Sequence, residues 1–150
     1  MKIKVDIQRA TDAHDIPENR QLRKWARAAL ADYDKDAALT IRIVDKKEGT
    51  ELNRKWRNAK GPTNVLSFPY DDNNRVAGGL LGDIIICAPV IKSEALKQKK
   101  SLASHCAHMV IHGALHLIGY DHIKPEDARE MEELEVRLLK NLGYTNPYYR

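Results

Sequence analysis

Aromatic side chains are scarce in this chain of 150 residues: one Phe, two Trp and six Tyr make up only 6% of it. A surface that recognises its partner mainly by aromatic stacking is therefore disfavoured. Cysteine is scarcer still. Cys87 and Cys106 have no C-x-x-C spacing and no partners in number, which excludes a disulfide framework and a thiolate cage; both read as buried thiols. No apolar run approaches the roughly 20 residues of a membrane span. The opening Met-Lys-Ile-Lys-Val-Asp has no secretory apolar region, so a cytoplasmic location and no membrane partner are expected. Repeats, low-complexity tracts and linkers are absent as well. With 43% hydrophobic and 31% charged residues, the composition excludes a disordered chain and fits one domain over residues 1–150.

Charge is slightly unbalanced. The net value of +4 and a pI near 9.0 do not by themselves imply a nucleic-acid partner. The distribution says more. Arg54, Lys55, Arg57 and Lys60 form one basic cluster, and Lys92, Lys97, Lys99 and Lys100 a second; residues 125–140 carry six carboxylates against three bases. A polyanion-binding cleft would have this polarity, and so would solvated helix faces.

What the chain does have is histidine, concentrated in one place. Four of its six histidines lie between His108 and His122, and His105 is one turn upstream. Met109, Val110, Ile111, Ala114, Leu115, Leu117 and Ile118 fill the gaps, as in a buried helix. On such a helix positions 105, 108, 112 and 116 share a stripe of roughly 80°, with Cys106 roughly 100° away. Gly119 ends the helix and lets the chain bring His122 back toward His112 and His116. Three imidazoles with an open fourth position describe a catalytic zinc site rather than a structural one. His108 reads as a supporting or packed residue behind them.

Around this helix the periodicities predict the order β-α-β-α-β-β-α-α-α. Residues 2–8 and 38–45 alternate as strands, residues 64–69 form a short strand closed by Pro69, and residues 80–87 form the most apolar strand, suited to the sheet centre. Asp15 and Pro17 mark a helix carrying Leu22, Trp25, Ala26 and Ala29, and Asp45 caps one carrying Leu52 and Trp56. Residues 71–79 read as a polar loop. Pro89 opens a helix to about Lys97, Ser101 caps the histidine helix, and Pro125 opens a last helix with a seam of Met131, Leu134, Leu138 and Leu142. The expected fold class is α/β (α+β): a mixed sheet of about four strands with about five helices, the histidine helix central.

The spacing H-x-x-x-H-x-x-G-x-x-H over His112, His116 and His122 coincides with the extended zinc signature of metzincin proteases. That signature needs a glutamate base after its first histidine, and Gly113 stands there, which counts against peptide hydrolysis. The segment His112-Gly-Ala-Leu-His116-Leu-Ile-Gly-Tyr-Asp-His122 instead resembles, position for position, the H-G-x-L-H-L-x-G-Y-D-H signature of the YbeY family of metal-dependent endoribonucleases. Arg57 followed by Pro62-Thr-Asn-Val-Leu-Ser-Phe-Pro69, and Leu81-Gly-Asp-Ile84, resemble two further blocks of that family in the same order; the likeness covers roughly residues 38–148.

The resemblance implies single-strand-directed endoribonuclease activity in ribosomal RNA processing, especially of the 16S rRNA 3′ end, and in ribosome quality control. It implies one zinc or other divalent ion on His112, His116 and His122, a catalytic Arg57, and RNA and ribosome components as partners, with no DNA. A metal and a guanidinium fork also suit charge stabilisation at phosphorus on chemical grounds. Lys55, Lys60, Lys97, Lys99 and Lys100 are the candidate backbone contacts, Phe68 or Tyr70 the best candidates for base stacking, and Asp83 and Asp121 the candidate acceptors orienting the imidazoles. A zinc peptidase or amidase, or a non-catalytic metal-bound assembly factor, are the alternatives.

Overall fold

A computed structural model describes residues 2–70 and 79–148. The expected element order is the observed one. Strands β1 (Ile3–Ala10), β2 (Ala37–Val44), β3 (Val65–Pro69) and β4 (Leu80–Cys87) alternate with helices α1 (Asn19–Ala29), α2 (Lys46–Arg57), α3 (Ala88–Lys97), α4 (Leu102–Leu117) and α5 (Pro125–Asn141). The strands form one mixed sheet in the order β1-β2-β4-β3, parallel except for the antiparallel β3–β4 pair. The sheet is thus α/β in class, with five helices around four strands. The loop expected over residues 71–79 lies, apart from Gly79, outside the described residues.

Burial follows from strand alternation. Ile84 and Ile86 of β4 face the main core with Ile41 and Ile43, where α1, α4 and α5 pack. Ile85 and Cys87 point to the opposite face, where they join Val44, Leu66 and Leu52 of α2. A strand covered on both sides must be apolar throughout, which is why β4 reads as a continuous hydrophobic run and sits inside the sheet. Pro69 is tolerated because β3 is an edge strand.

One boundary and one buried seam differ from expectation. Helix α1 starts at Asn19 rather than at Asp15 or Pro17, with Glu18 at the N-cap position and its backbone N–H donating to Gln21. The earlier polar groups are engaged elsewhere: Asp15 pairs with Lys92 at 3.1 Å, and the Pro17 carbonyl accepts from Arg9. On α5 the fully covered positions are Met131, Glu135 and Leu139, spaced four apart, while Leu134, Leu138 and Leu142 are only partly buried. A glutamate therefore occupies the centre of a seam expected to be leucine.

Helix α4 is the central element. Ser101 caps it, accepting the Ser104 N–H at 3.0 Å, and eleven of its sixteen residues are buried. It packs most closely at Gly113, where a Cβ would lie 2.9 Å from Ile84 Cγ2 and 3.3 Å from Ser67 Oγ. Ser67 donates to the Gly113 carbonyl at 3.2 Å, pinning the helix to β3. No helix among the described residues is long and apolar enough to cross a membrane. Gly113→Val should destabilise the fold by about 2–3 kcal/mol, because Ile84 is fully buried and cannot yield to the added carbons. Denaturant unfolding measures this, and a loss under about 0.5 kcal/mol would show that the contact is not tight.

Candidate metal centre

The last turn of α4 and the turn after it bring three imidazoles together. Ring centroids are 4.5 Å apart for His112 and His116, 5.0 Å for His116 and His122, and 5.5 Å for His112 and His122. One ligand-capable nitrogen from each lies within 4.8 Å of the others. The first two share a helix face by their i, i+4 spacing. Gly119 carries the return at φ +105°, a region that only glycine enters without strain, and Asp121 accepts the Ile123 N–H at 3.1 Å to close the turn bearing His122.

Hydrogen bonding decides which nitrogens are available. His116 Nδ1 lies 2.9 Å from the Tyr120 carbonyl oxygen, which can only accept, so Nδ1 carries the proton. His112 Nδ1 lies 2.7 Å from Glu135 Oε2, and the same reasoning protonates it. In the neutral rings both Nε2 atoms then hold lone pairs, yet they face each other at 3.1 Å. Two lone pairs at that distance repel. A shared proton or a cation must lie between them, and zinc–imidazole bonds of about 2.05 Å would separate two tetrahedral nitrogens by about 3.3 Å. The donor set fits a divalent ion on His112, His116 and His122.

The supporting layer is buried. Glu135, fully excluded from solvent, receives His108 Nε2 at 2.7 Å and the Tyr148 hydroxyl on one oxygen, and His112 on the other. Burial alone would raise its pKa, but the bonds from His108, His112 and Tyr148 outweigh that and hold it at about 2. His116 moves to about 4, first through burial and then through the neighbouring His112. His105 sits one turn above, buried, 2.9 Å from Glu94, and burial lowers its pKa as well.

The three histidines line a cleft of about 490 Å³ whose opposite wall is Asn53, Arg57 and residues 63–67. Arg57 ends α2, and its Nη2 donates to the Ser67 carbonyl at 3.0 Å, so the edge strand β3 fixes the guanidinium beside the site. With this architecture in place, comparison with known proteins is decisive. A model of the family described as Endoribonuclease YbeY matches residues 6–143.

The chain belongs to the YbeY endoribonuclease family. Its fold is also similar to the solution structure of TM1509 from Thermotoga maritima, with a TM-score of 0.67 at 23% identity over 97% of this chain and 99% of that one.

Other expected site residues are distributed differently in this YbeY-family chain. Asp83 orients no imidazole: its carboxylate accepts the Tyr70 hydroxyl at 2.8 Å and lines a second cavity beyond β3. Strand parity explains this, since Ile84 faces α4 and Asp83 must face away. Asp121 lines the cleft but binds backbone, so the acceptors that orient His112 and His116 are Glu135 and the Tyr120 carbonyl. Sequence reasoning missed both, because Glu135 hides in an acidic run and a carbonyl has no side-chain signature. His108 lies directly behind His112 on Glu135. Cys106 is in the apolar core, its thiol pushed up to about 12 by burial.

Of the expected RNA-contacting cations, Arg57 lines the cleft. Lys55 sits above the Trp56 ring, 5.1 Å from its centroid, and Lys60 is exposed on the adjoining loop. Lys97, Lys99 and Lys100 adjoin the start of α4, about 20 Å along the helix from His116, and Lys100 donates to the Pro147 carbonyl at 2.8 Å. Among the aromatic candidates Phe68 packs edge-on against Trp56 at 6.2 Å, and it is Trp56 that is the more exposed.

The shifts set a pH dependence for the metal-free protein. The unfolded chain binds more protons than the folded one between 6.5 and about 4 at His116, and His105 has the same sign. Stability is therefore full above pH 6.5 and falls as pH drops through that window. Glu135 adds its loss only below 4.5. Chemical denaturation between pH 7 and 5 should show the decline, and His116→Asn should flatten it; an unchanged slope would contradict the buried neutral histidine.

Proposed function

We propose that this YbeY-family chain is a zinc-dependent endoribonuclease that cuts single-stranded ribosomal RNA. Its role is maturation of the 16S rRNA 3′ end and ribosome quality control, in the cytoplasm, with residues 1–150 acting as one catalytic domain. The observation that carries this reading is the juxtaposition of two inward-facing Nε2 lone pairs, 3.1 Å apart, with the Arg57 guanidinium in one cleft.

A zinc ion held by His112, His116 and His122 supplies Lewis acidity to a phosphoryl oxygen and to a water. The chain's own residues do the rest. Arg57 keeps one nitrogen on the Ser67 carbonyl, which aims the fork, and its other N–H donors take phosphate oxygens as charge builds on them. Glu135 and the Tyr120 carbonyl hold the ligand rings in the tautomers that leave Nε2 deprotonated. Lys55 and Lys60, exposed within three residues of Arg57 in the chain, add sequence-independent attraction for the backbone.

Peptide hydrolysis is the poorer reading for a packing reason. The general base of the zinc peptidase motif would occupy position 113, where Ile84 and Ser67 leave no room for a side chain.

The test is cleavage of a single-stranded RNA by the purified chain under chelation and metal re-addition. Cleavage should vanish with the metal and return with zinc. Arg57→Glu should keep its zinc yet lose about 100- to 1000-fold in rate, the usual cost of removing a charge-stabilising donor. Tight RNA binding without cleavage at any metal loading would overturn the enzymatic reading, and undiminished cleavage by the variant would remove Arg57 from the chemistry.

A further inference from the structure

Glu135 is a buried anion with no conventional counter-charge. It is 0% exposed, and its ion-pair contacts among the described residues are with His108 and His112 alone. Neither ring needs to be charged to make those contacts. His108 presents Nε2 to Glu135, while its buried Nδ1 has no hydrogen-bond partner among the described residues, so Nε2 is the nitrogen that donates. His112 is protonated at Nδ1, and Tyr148 donates a neutral hydroxyl. Both carboxylate oxygens are thus committed, one to His108 and Tyr148 and the other to the ring of His112.

The adjoining positions sharpen the point. Met131 and Leu139 lie one turn to either side on α5, both 1% exposed and apolar. Packing alone would call for a third aliphatic side chain between them. The opposite side of the His112 ring offers a better reason for the carboxylate, because Nε2 there faces His116 Nε2 at 3.1 Å, where only a proton or a cation relieves two lone pairs. The carboxylate and the pair of facing nitrogens therefore lie on opposite sides of one imidazole.

We propose that Glu135 is a positioning residue for the metal, its carboxylate locking His112 as the Nδ1–H tautomer and balancing the cation's charge across the ring, with Tyr148 holding it in place. This rests on the metal reading of the three-histidine site and extends it to α5 and the segment behind it. Tyr148 stands edge-on to His108, with centroids 5.2 Å apart, and its backbone N–H is tied to Asn146 at 2.8 Å. The segment after α5 thereby reaches the back of the metal site without touching the cleft.

Metal affinity and metal-free stability separate this role from a merely structural one. Zinc affinity of the full chain would be measured by competition with a chelating dye, alongside melting of the metal-free protein and the nitrogen chemical shifts of His112. Glu135→Gln should weaken zinc binding about 10- to 100-fold. The metal-free melting temperature should change little, since the Gln oxygen still accepts from His108 and Tyr148 and the His112 proton can move to Nε2. The amide of Gln should also draw the His112 proton to Nε2, visible in the shifts. Tyr148→Phe keeps the ring on His108 and removes the hydroxyl's contacts with Glu135 and His108, and should cost about fivefold in affinity.

Zinc affinity within about threefold of the parent in Glu135→Gln would overturn the proposal, given the size of supporting-carboxylate effects elsewhere. So would a metal-free protein destabilised in step with any loss of affinity, because that is what a structural carboxylate predicts. Unchanged affinity in Tyr148→Phe would remove Tyr148 from the unit. A parent chain that takes up no zinc would instead sink the metal reading itself, a separate outcome visible before any variant is made.

Discussion

The contact between Gly113 and Ile84 is the constraint from which most of this architecture follows. A helix can approach a sheet this closely only where it has no side chain, and α4 has none at the point where β4 presents a fully buried isoleucine. The Ser67 hydroxyl on the Gly113 carbonyl then fixes the height of the helix against β3. Since β3 also receives the Arg57 guanidinium through the Ser67 carbonyl, one residue of an edge strand references both sides of the cleft to each other. The same tightness that builds the cleft bars a side chain from position 113. One missing Cβ thus sets the packing of the helix and disfavours a side-chain base at this position.

Around that contact the histidine stripe is arranged as a gradient of burial. His105 and His108 are enclosed, His112 and His116 are half-buried, and His122 is exposed. Each enclosed ring is matched to a carboxylate, and each half-buried ring is matched to an acceptor on Nδ1 alone. Desolvation lowers the pKa of His105 and His116, and directional acceptors decide which nitrogen stays bare on His112 and His116. Without those acceptors the inward Nε2 atoms could carry the proton instead of the lone pair.

Much of this was legible from residue order. The i, i+4 histidines, the glycine stop, the capping serine and the apolar central strand each carry a local signal, and all four stand where that signal put them. The unreadable parts depended on contacts distant in sequence. Glu135 lies in a run of glutamates where burial has no local mark, and only the packing of α5 on α4 singles it out. Asp83 lies within the core strand itself, but alternation turns it to the face away from α4. The lysines at 97, 99 and 100 share a charge with Arg57 and not its location, because a sixteen-residue helix separates them from the site. The Tyr120 carbonyl could not be read at all, since every residue has one.

The donor set has a consequence for how the site can fail. Zinc sites built on thiolates release their ion when sulfur is oxidised. Here the candidate ligands are imidazoles, and both cysteines are buried with thiols shifted up, Cys106 to about 12. Peroxide has no exposed thiolate to attack and no ligand sulfur to convert. Acid does have a target, because protonation of the imidazoles competes directly with the ion for the same nitrogens. Thiol oxidation therefore leaves the candidate donor set unchanged, while acid acts on the donor nitrogens themselves.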